Sequence, residues 1–455
     1  MMSLPPQRNP NLAAPRLLWM DRALGNVQRK DLADRQFRPR TATAPPKVID
    51  LLALFFITVA TVHCSGAWFW PQNSTDSIVV EQIFGTEFKY LVNATYCSTA
   101  MIGLYKAFSR ADIRVSVFFI QVLTVSISAS FGGSAFYGAQ ALVSVLGMSF
   151  GAYAAVRLLG HERAFNWMIA TFTVILAASV LLSVLMPSVG THAGLYFPGQ
   201  WRGAFGHKNQ LGFLAAMTLL LVLPTMNWRP LWQSLTALAL ALLCLIMARS
   251  GSSIILFMFG SVIFFSVLFM RKLKSDHAII IVIVALSLIV AFVLKDFILS
   301  FISLALEKDR TFSGRTAIWQ KMLQLGNEQP FFGHGPYYLA IDTQFLERAR
   351  SALNFPQLRS AHNSYIENII EFGYIGLIIY LLPISWIIMK WIFERNMDQT
   401  RYYITISLSP ILLYFTVEST NRLYTGVATL VINILFCARQ PAFRRRPRIG
   451  MPPHG

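Results

Sequence analysis

Four arginines, Arg202, Arg249, Arg315 and Arg422, stand at or beside the ends of apolar runs, on what the charge pattern makes the outer side of a membrane. A guanidinium is permanently charged, and its forked donors match phosphate oxygens bidentately. A diphosphate held at headgroup height would explain why they oppose the prevailing charge rule. The ordinary explanation is that they pair with Glu367, Glu371 or Glu418, or snorkel to the interface. His362 lies where a long polar loop runs back into an apolar segment, at the head of His362-Asn363-Ser364-Tyr365-Ile366-Glu367-Asn368. An imidazole with a pKa near ~6.5 takes a proton from a sugar hydroxyl at neutral pH, and Asn363 beside it can hold substrate or orient the ring. The bland alternative is a helix-start histidine making local backbone hydrogen bonds. His207, in Gly206-His207-Lys208-Asn209, and His334, between Gly333 and Gly335, compete as bases, with His192 behind them.

Several chemistries are poorly supported. The outer-side histidines are scattered, without a His-x-x-x-His, Asp-x-Asp or paired-cysteine spacing, so no metal is expected. A Walker loop and a GxGxxG after a strand are missing, and no cofactor is expected. Gly333-His334-Gly335-Pro336 reads as a tight turn. Cys64, Cys97, Cys244 and Cys437 all fall in apolar segments and read as small buried residues rather than a disulfide framework.

The elements that must position these groups are membrane helices. The chain of 455 residues is 55% hydrophobic and only 13% charged, with a mean hydropathy of +0.51. That is too little charge to cover a soluble protein of this length. Apolar runs of about 20 residues recur, each long enough to cross ~30 Å of hydrocarbon. The fold class is therefore an all-α polytopic membrane protein. About twelve spans fit, near 48–69, 89–106, 113–131, 136–156, 166–186, 209–227, 231–248, 252–270, 277–297, 363–390, 402–418 and 423–438. With the N-terminus inside, the segments Lys106 to Arg114, Arg157 to Arg163, Arg229, Arg271 to Lys274, Lys390 to Arg401 and Arg439 to Arg448 are all inner and all basic. The net charge of +18 is thereby read as topology, not as a nucleic-acid surface.

Residues 1–47 form a basic tail, expected to be disordered and cytoplasmic, without a cleaved signal; residues 48–440 form the membrane domain with an outer loop at 298–362; residues 441–455 form a second basic cytoplasmic tail. Residues 315–325 carry an amphipathic pattern. A helix on the outer leaflet with Trp319 at the interface is one explanation, and packing against the spans is an equal one. Internal repeats are not evident, and few ionisable residues lie deep in spans, which argues against an ion-coupled carrier.

Taken together, Arg202-Gly203-Ala204-Phe205-Gly206-His207-Lys208-Asn209, Ser313-Gly314-Arg315-Thr316-Ala317-Ile318-Trp319, Gly333-His334-Gly335, and His362-Asn363-Ser364 with Gly373 and Gly376 resemble the O-antigen ligase and polysaccharide polymerase superfamily. The form of Gly206-His207-Lys208-Asn209 is similar to the branch that polymerises bacterial exopolysaccharide repeats. The resemblance covers about residues 48–440. It implies a GT-C-like fold and a metal-independent, inverting glycosyltransferase acting on undecaprenyl-diphosphate-linked glycans in the periplasm. It implies that Arg315 is the loop arginine that grips the diphosphate, that Arg202 is the arginine after the fifth span, and that His362 is the base on the acceptor hydroxyl. One departure is Ser130-Phe131-Gly132-Gly133-Ser134, which replaces an expected Trp-Ser and Pro at the junction of the third and fourth spans.

The expected function is elongation of a polysaccharide, with one lipid-linked glycan as donor and another as acceptor. His362, Arg315 and Arg202 are the expected catalytic residues. Arg249, Arg422, His207, Lys208, Asn209, His334, Asn363 and Trp319 are the expected substrate-binding residues. Ligation of finished O-antigen to lipid A-core uses the same chemistry on a different acceptor. A flippase or exporter of lipid-linked sugars is a second class, and a non-catalytic scaffold a third. The expected location is the bacterial inner membrane, and the expected partners are the bilayer, the two lipid-linked glycans, a chain-length regulator and other exopolysaccharide assembly proteins.

Overall fold

The computed structural model describes residues 47–67, 69–71, 80–82, 85–109, 112–132, 134–193, 197–272, 314–341, 343–355, 358, 360–393, 404–416, 418 and 426–438. Long apolar helices dominate them. In chain order these are α1 (Val48–Ser65), α2 (Gly85–Phe108), α3 (Ile113–Phe131), α4 (Ala135–Leu159), α5 (His161–Leu185), α6 (Lys208–Thr225), α7 (Leu231–Ala248) and α8 (Gly251–Lys272). Further along the chain come α9 (Gly314–Gly326), α10 (Thr343–Leu353), α11 (Ser364–Phe393) and α12 (Val427–Cys437). A short antiparallel hairpin, β1 (Phe69–Pro71) with β2 (Val80–Gln82), joins α1 to α2. It is the one sheet among the described residues, built where aromatic and β-branched residues cluster.

Eight helices among the described residues are long and apolar enough to cross a membrane: α1, α3 to α8 and the Ser364–Lys390 part of α11. They correspond to eight of the expected spans. The expected span at 89–106 is helical as α2, but its Lys89, Asn93 and hydroxyl residues make it more polar than the others. The expected span at 402–418 is two short helical pieces, 404–407 and Ile411–Tyr414. Pro410 stands between them; it lacks an N–H and disfavours a helical residue before it. The span at 423–438 contains α12, an apolar helix of 11 residues. The span at 277–297 lies outside the described residues.

α6 is the most enclosed of the spans and packs against α5, α7 and α8. α11 packs against α3, α9 and α12. At one end of the bundle, Asp112 ties three elements together. It accepts from Arg114 Nε at 2.7 Å and Nη2 at 2.8 Å, and from Arg157 at the end of α4. Arg114 Nη1 also donates to the Cys437 and Ala438 carbonyls at the end of α12, at 3.1 and 3.4 Å. Those carbonyls have no partner within their own helix, so the arginine serves as a C-terminal cap from another element.

At the opposite end, the described residues between Ile318 and Ile370 have a core of their own. Ile318, Met322 and Leu325 from α9 pack with Phe345, Leu346 and Ala349 from α10 and with Ile366 and Ile370 from α11. The packing explanation for the amphipathic pattern at 315–325 is therefore realised.

Candidate functional site

The loop is fixed to the bundle where α11 breaks. Gly373 has φ +68° and ψ −174° inside an otherwise helical run. Such a break leaves polar backbone exposed at membrane depth, which is tolerated only if other groups satisfy it. Residues 330–335 do so. His334 N and Gly335 N donate to the Ile370 and Glu371 carbonyls at 2.9 and 3.0 Å, while Tyr374 N and Ile375 N donate to Pro330 and Phe331 at 2.8 and 3.3 Å. The two chains approach so closely that a Cβ on Gly373 would lie 2.2 Å from the Phe331 carbonyl oxygen, and one on Gly333 2.4 Å from the Glu371 carbonyl carbon. Both residues have positive φ, so glycine is required twice over. Gly132, which follows the end of α3, belongs to this junction. Ser128 in α3 donates to the Glu371 carbonyl at 2.6 Å, and Gly132 lies directly against Gly335.

This anchor sets α9 and the start of α11 side by side. Trp319 Nε1 donates to the Ala361 carbonyl at 3.0 Å, and the buried Glu367 carboxylate accepts from Ala361 N at 3.0 Å. Both backbone polar groups of Ala361, the residue before His362, are thus held by side chains. His362 itself has φ +48°, a left-handed conformation uncommon for any residue but glycine, asparagine and aspartate. Asn363 Oδ1 accepts from Tyr365 N at 3.0 Å and Ile366 N at 3.2 Å, which is the work of an N-cap. Burial lowers the pKa of His362, and the Arg315 charge lowers it further, against smaller upward pulls from Glu418 and Glu367. The imidazole is therefore neutral at pH 7 and lies within the fields of all three groups.

Glu418 joins this region to the rest of the bundle. Its carboxylate accepts from Asn209 Nδ2 and from Ser252 Oγ, each at 3.0 Å, and lies 3.8 Å from Arg315 Nη2. Its carbonyl accepts from Ser364 Oγ at 2.7 Å. Ser250 Oγ donates to Asn209 Oδ1 at 3.2 Å, closing the network. The first residues of α6, α8, α9 and α11 consequently meet at one place. Helix N-termini present unpaired N–H groups and positive dipole ends, so this place favours an anion.

Lys208 and Arg249 adjoin the same network through Asn209 and Ser250. Lys208 is 2% exposed; its ammonium donates to Gln200 Oε1 and to the Arg249 carbonyl at 3.4 Å, and lies 4.3 Å from the centre of the Phe197 ring. Arg249 ends α7 in a left-handed conformation, φ +47°. His207 caps α6: its Nδ1 accepts from Asn209 N at 3.2 Å while its own N donates to Gln210. Nδ1 as acceptor puts the proton on Nε2. His192 Nε2 accepts from Lys208 N at 3.2 Å, and burial with the Arg202 and Lys208 charges lowers its pKa to about 4.

The sequence-predicted residues thus divide. Arg315 and His362 are brought together. Asn209 is bonded into the same network, with Lys208 and Arg249 at its border. Asn363 caps α11, and Trp319 uses its indole N–H on the His362 loop. Arg202 turns inward: its Nε donates to Val189 O at 2.9 Å and its Nη2 to Ser188 O at 3.4 Å. His334 is apart, stacked on Tyr338 with ring centres 4.6 Å apart and next to Phe345 in the loop core. Arg422 lies outside the described residues. Sequence reasoning gave Glu418 and Glu367 only as ion-pair partners for the arginines and missed Ser252 and Ser364. Its one usable signal was a carboxylate and several hydroxyls at the outer ends of spans. Among the described residues no group of three or more His, Cys, Asp or Glu side chains has metal-binding geometry.

Fold and site define a polytopic helical membrane protein with a structured loop bound over one end of its bundle. Residues 236–381, from α7 through Arg249, Arg315 and His362 to the middle of α11, match the O-Antigen ligase family model, which supports membership of the O-antigen ligase and polymerase superfamily. A search of curated proteins gave no match.

Proposed function

We propose that this protein is a periplasmic-side glycosyltransferase that polymerises undecaprenyl-diphosphate-linked oligosaccharide repeats into exopolysaccharide. The observation that carries the reading is the meeting of Arg315, His362 and four helix N-termini at one end of the bundle. A base and an anion-binding surface side by side are what transfer from a lipid diphosphate requires.

In this reading the acceptor hydroxyl oxygen attacks the anomeric carbon of the donor from the face opposite the diphosphate, inverting that centre. His362 takes the hydroxyl proton as the new C–O bond forms. The bond from the anomeric carbon to the diphosphate oxygen breaks, and the charge arriving on the diphosphate is met by Arg315 and the helix N-termini. Arg249 and Lys208 add positive field, and so does Arg202 from its turn. Because the donor carries its own leaving group, the reading needs neither metal nor ATP. The fold expected with it is GT-C-like with about twelve spans, both termini on the cytoplasmic side of the inner membrane, and a chain-length regulator beside it.

Transfer to lipid A-core is a second reading, favoured by the ligase description of the matched family. Deleting the protein separates the two. Loss of soluble exopolysaccharide with intact lipopolysaccharide ladders favours polymerisation, and the reverse favours ligation. Both readings require His362 and Arg315. Full-length polymer in His362→Ala and Arg315→Ala strains with normal membrane protein levels would reject these roles.

A further inference from the structure

We infer that Glu418 is a positioning residue that acts as the resident counter-anion of Arg315 and competes with the lipid diphosphate for its guanidinium. This inference rests on the diphosphate reading of the site. The geometry behind it is an asymmetry. Two neutral donors, Asn209 Nδ2 and Ser252 Oγ, hold the carboxylate at 3.0 Å each, whereas Arg315 Nη2 stands at 3.8 Å. The Glu418 backbone is tied as well: its carbonyl accepts from Ser364 and its N–H donates to Tyr414 O at 3.1 Å. The carboxylate is therefore fixed by α6 and α8, and the arginine of α9 comes to it only to within charge–charge distance. Glu418 is 5% exposed, so water screens the attraction weakly.

A carboxylate held in this way has two consequences. It keeps a buried cationic site from standing uncompensated when no lipid is bound. It also opposes the diphosphate, because two anions then share one cationic surface, so the product diphosphate leaves more readily. Neutralising the carboxylate while retaining its hydrogen-bond acceptor should tighten product binding and slow turnover. Removing one of its neutral anchors should let it move toward Arg315 and weaken binding.

The test is the affinity of undecaprenyl diphosphate for the full-length protein in nanodiscs, measured for wild type, Glu418→Gln, Ser252→Ala and Arg315→Ala. Expected are binding about three- to tenfold tighter for Glu418→Gln, weaker for Ser252→Ala, and much weaker for Arg315→Ala. In turnover, Glu418→Gln should lower kcat and KM together. Wild-type affinity in Glu418→Gln, with Arg315→Ala still weakened, overturns the counter-anion role and leaves the diphosphate site standing. Wild-type affinity in Arg315→Ala overturns both. Should Glu418→Gln fail to reach the membrane, Ser252→Ala decides alone: unchanged or tighter binding overturns the inference.

Discussion

Both ends of the bundle hold a buried carboxylate with arginine, and they are built differently. Asp112 takes two close hydrogen bonds from Arg114 and another from Arg157, and Arg114 goes on to cap α12. The Arg114 bonds to Asp112 are local to the start of α3, while the Arg157 bond and the Arg114 cap join that start to the ends of α4 and α12. Glu418 instead takes its close hydrogen bonds from neutral side chains and keeps Arg315 at 3.8 Å. The arginine there is held near the carboxylate rather than locked to it. On the proposed reading, the difference separates an ion pair that fastens elements from one whose cation serves a ligand. A family of charged residues at helix ends is thus not one class, and the short contacts mark the fastening.

The comparison can be broken by substitution. The largest effect is expected at the open end. Arg315→Ala should lower coupling by about 10²–10³-fold, as loss of one preorganised charge donor does. His362→Ala should cost about 10²–10⁴-fold, with membrane protein levels near normal. Comparable loss of protein in either variant would make that end a fastening too. At the closed end, Asp112→Ala leaves two arginines without their carboxylate and should destabilise by about 3–5 kcal/mol. A fall in thermal stability in detergent and in membrane abundance, with turnover per surviving molecule retained, is the expected signature.

Smaller effects sharpen the contrast. Trp319→Phe keeps an aromatic ring and removes the hydrogen bond to Ala361, so turnover should fall about two- to tenfold with little change in donor KM. Donor KM rising alone would return Trp319 to substrate binding. Last, the pH profile should report a base with a depressed pKa. Protonation inactivates the imidazole, so activity persists as pH falls past ~6.5 and is lost only through the lower pKa of His362. An acid limb above pH ~6.5 in kcat/KM would contradict that burial.

What was legible in the sequence was whatever a single segment carries. Eight spans could be read because twenty apolar residues are a local signal, and the helix at 315–325 because its period is local. The break at Gly373 could not be placed, since its cause is a turn 40 residues earlier that supplies the missing hydrogen bonds. Pro410, by contrast, was visible and should have divided the span at 402–418. The sequence ranks His362 ahead of the competing His334 by its place at the head of an apolar segment. Packing separates them further, by putting one beside Arg315 and the other against Tyr338. Glu418 drew notice as a charge at a span end, but its partners Asn209, Ser252 and Arg315 come from three distant segments.

The most direct test is reconstitution of the purified protein in liposomes with undecaprenyl-diphosphate-linked oligosaccharide on the outer face, without nucleotide and with a chelator present. Growth of a glycan ladder by the wild type, abolished in His362→Ala and Arg315→Ala, is the expected result. Translocation of the lipid-linked glycan without any new glycosidic bond would contradict it.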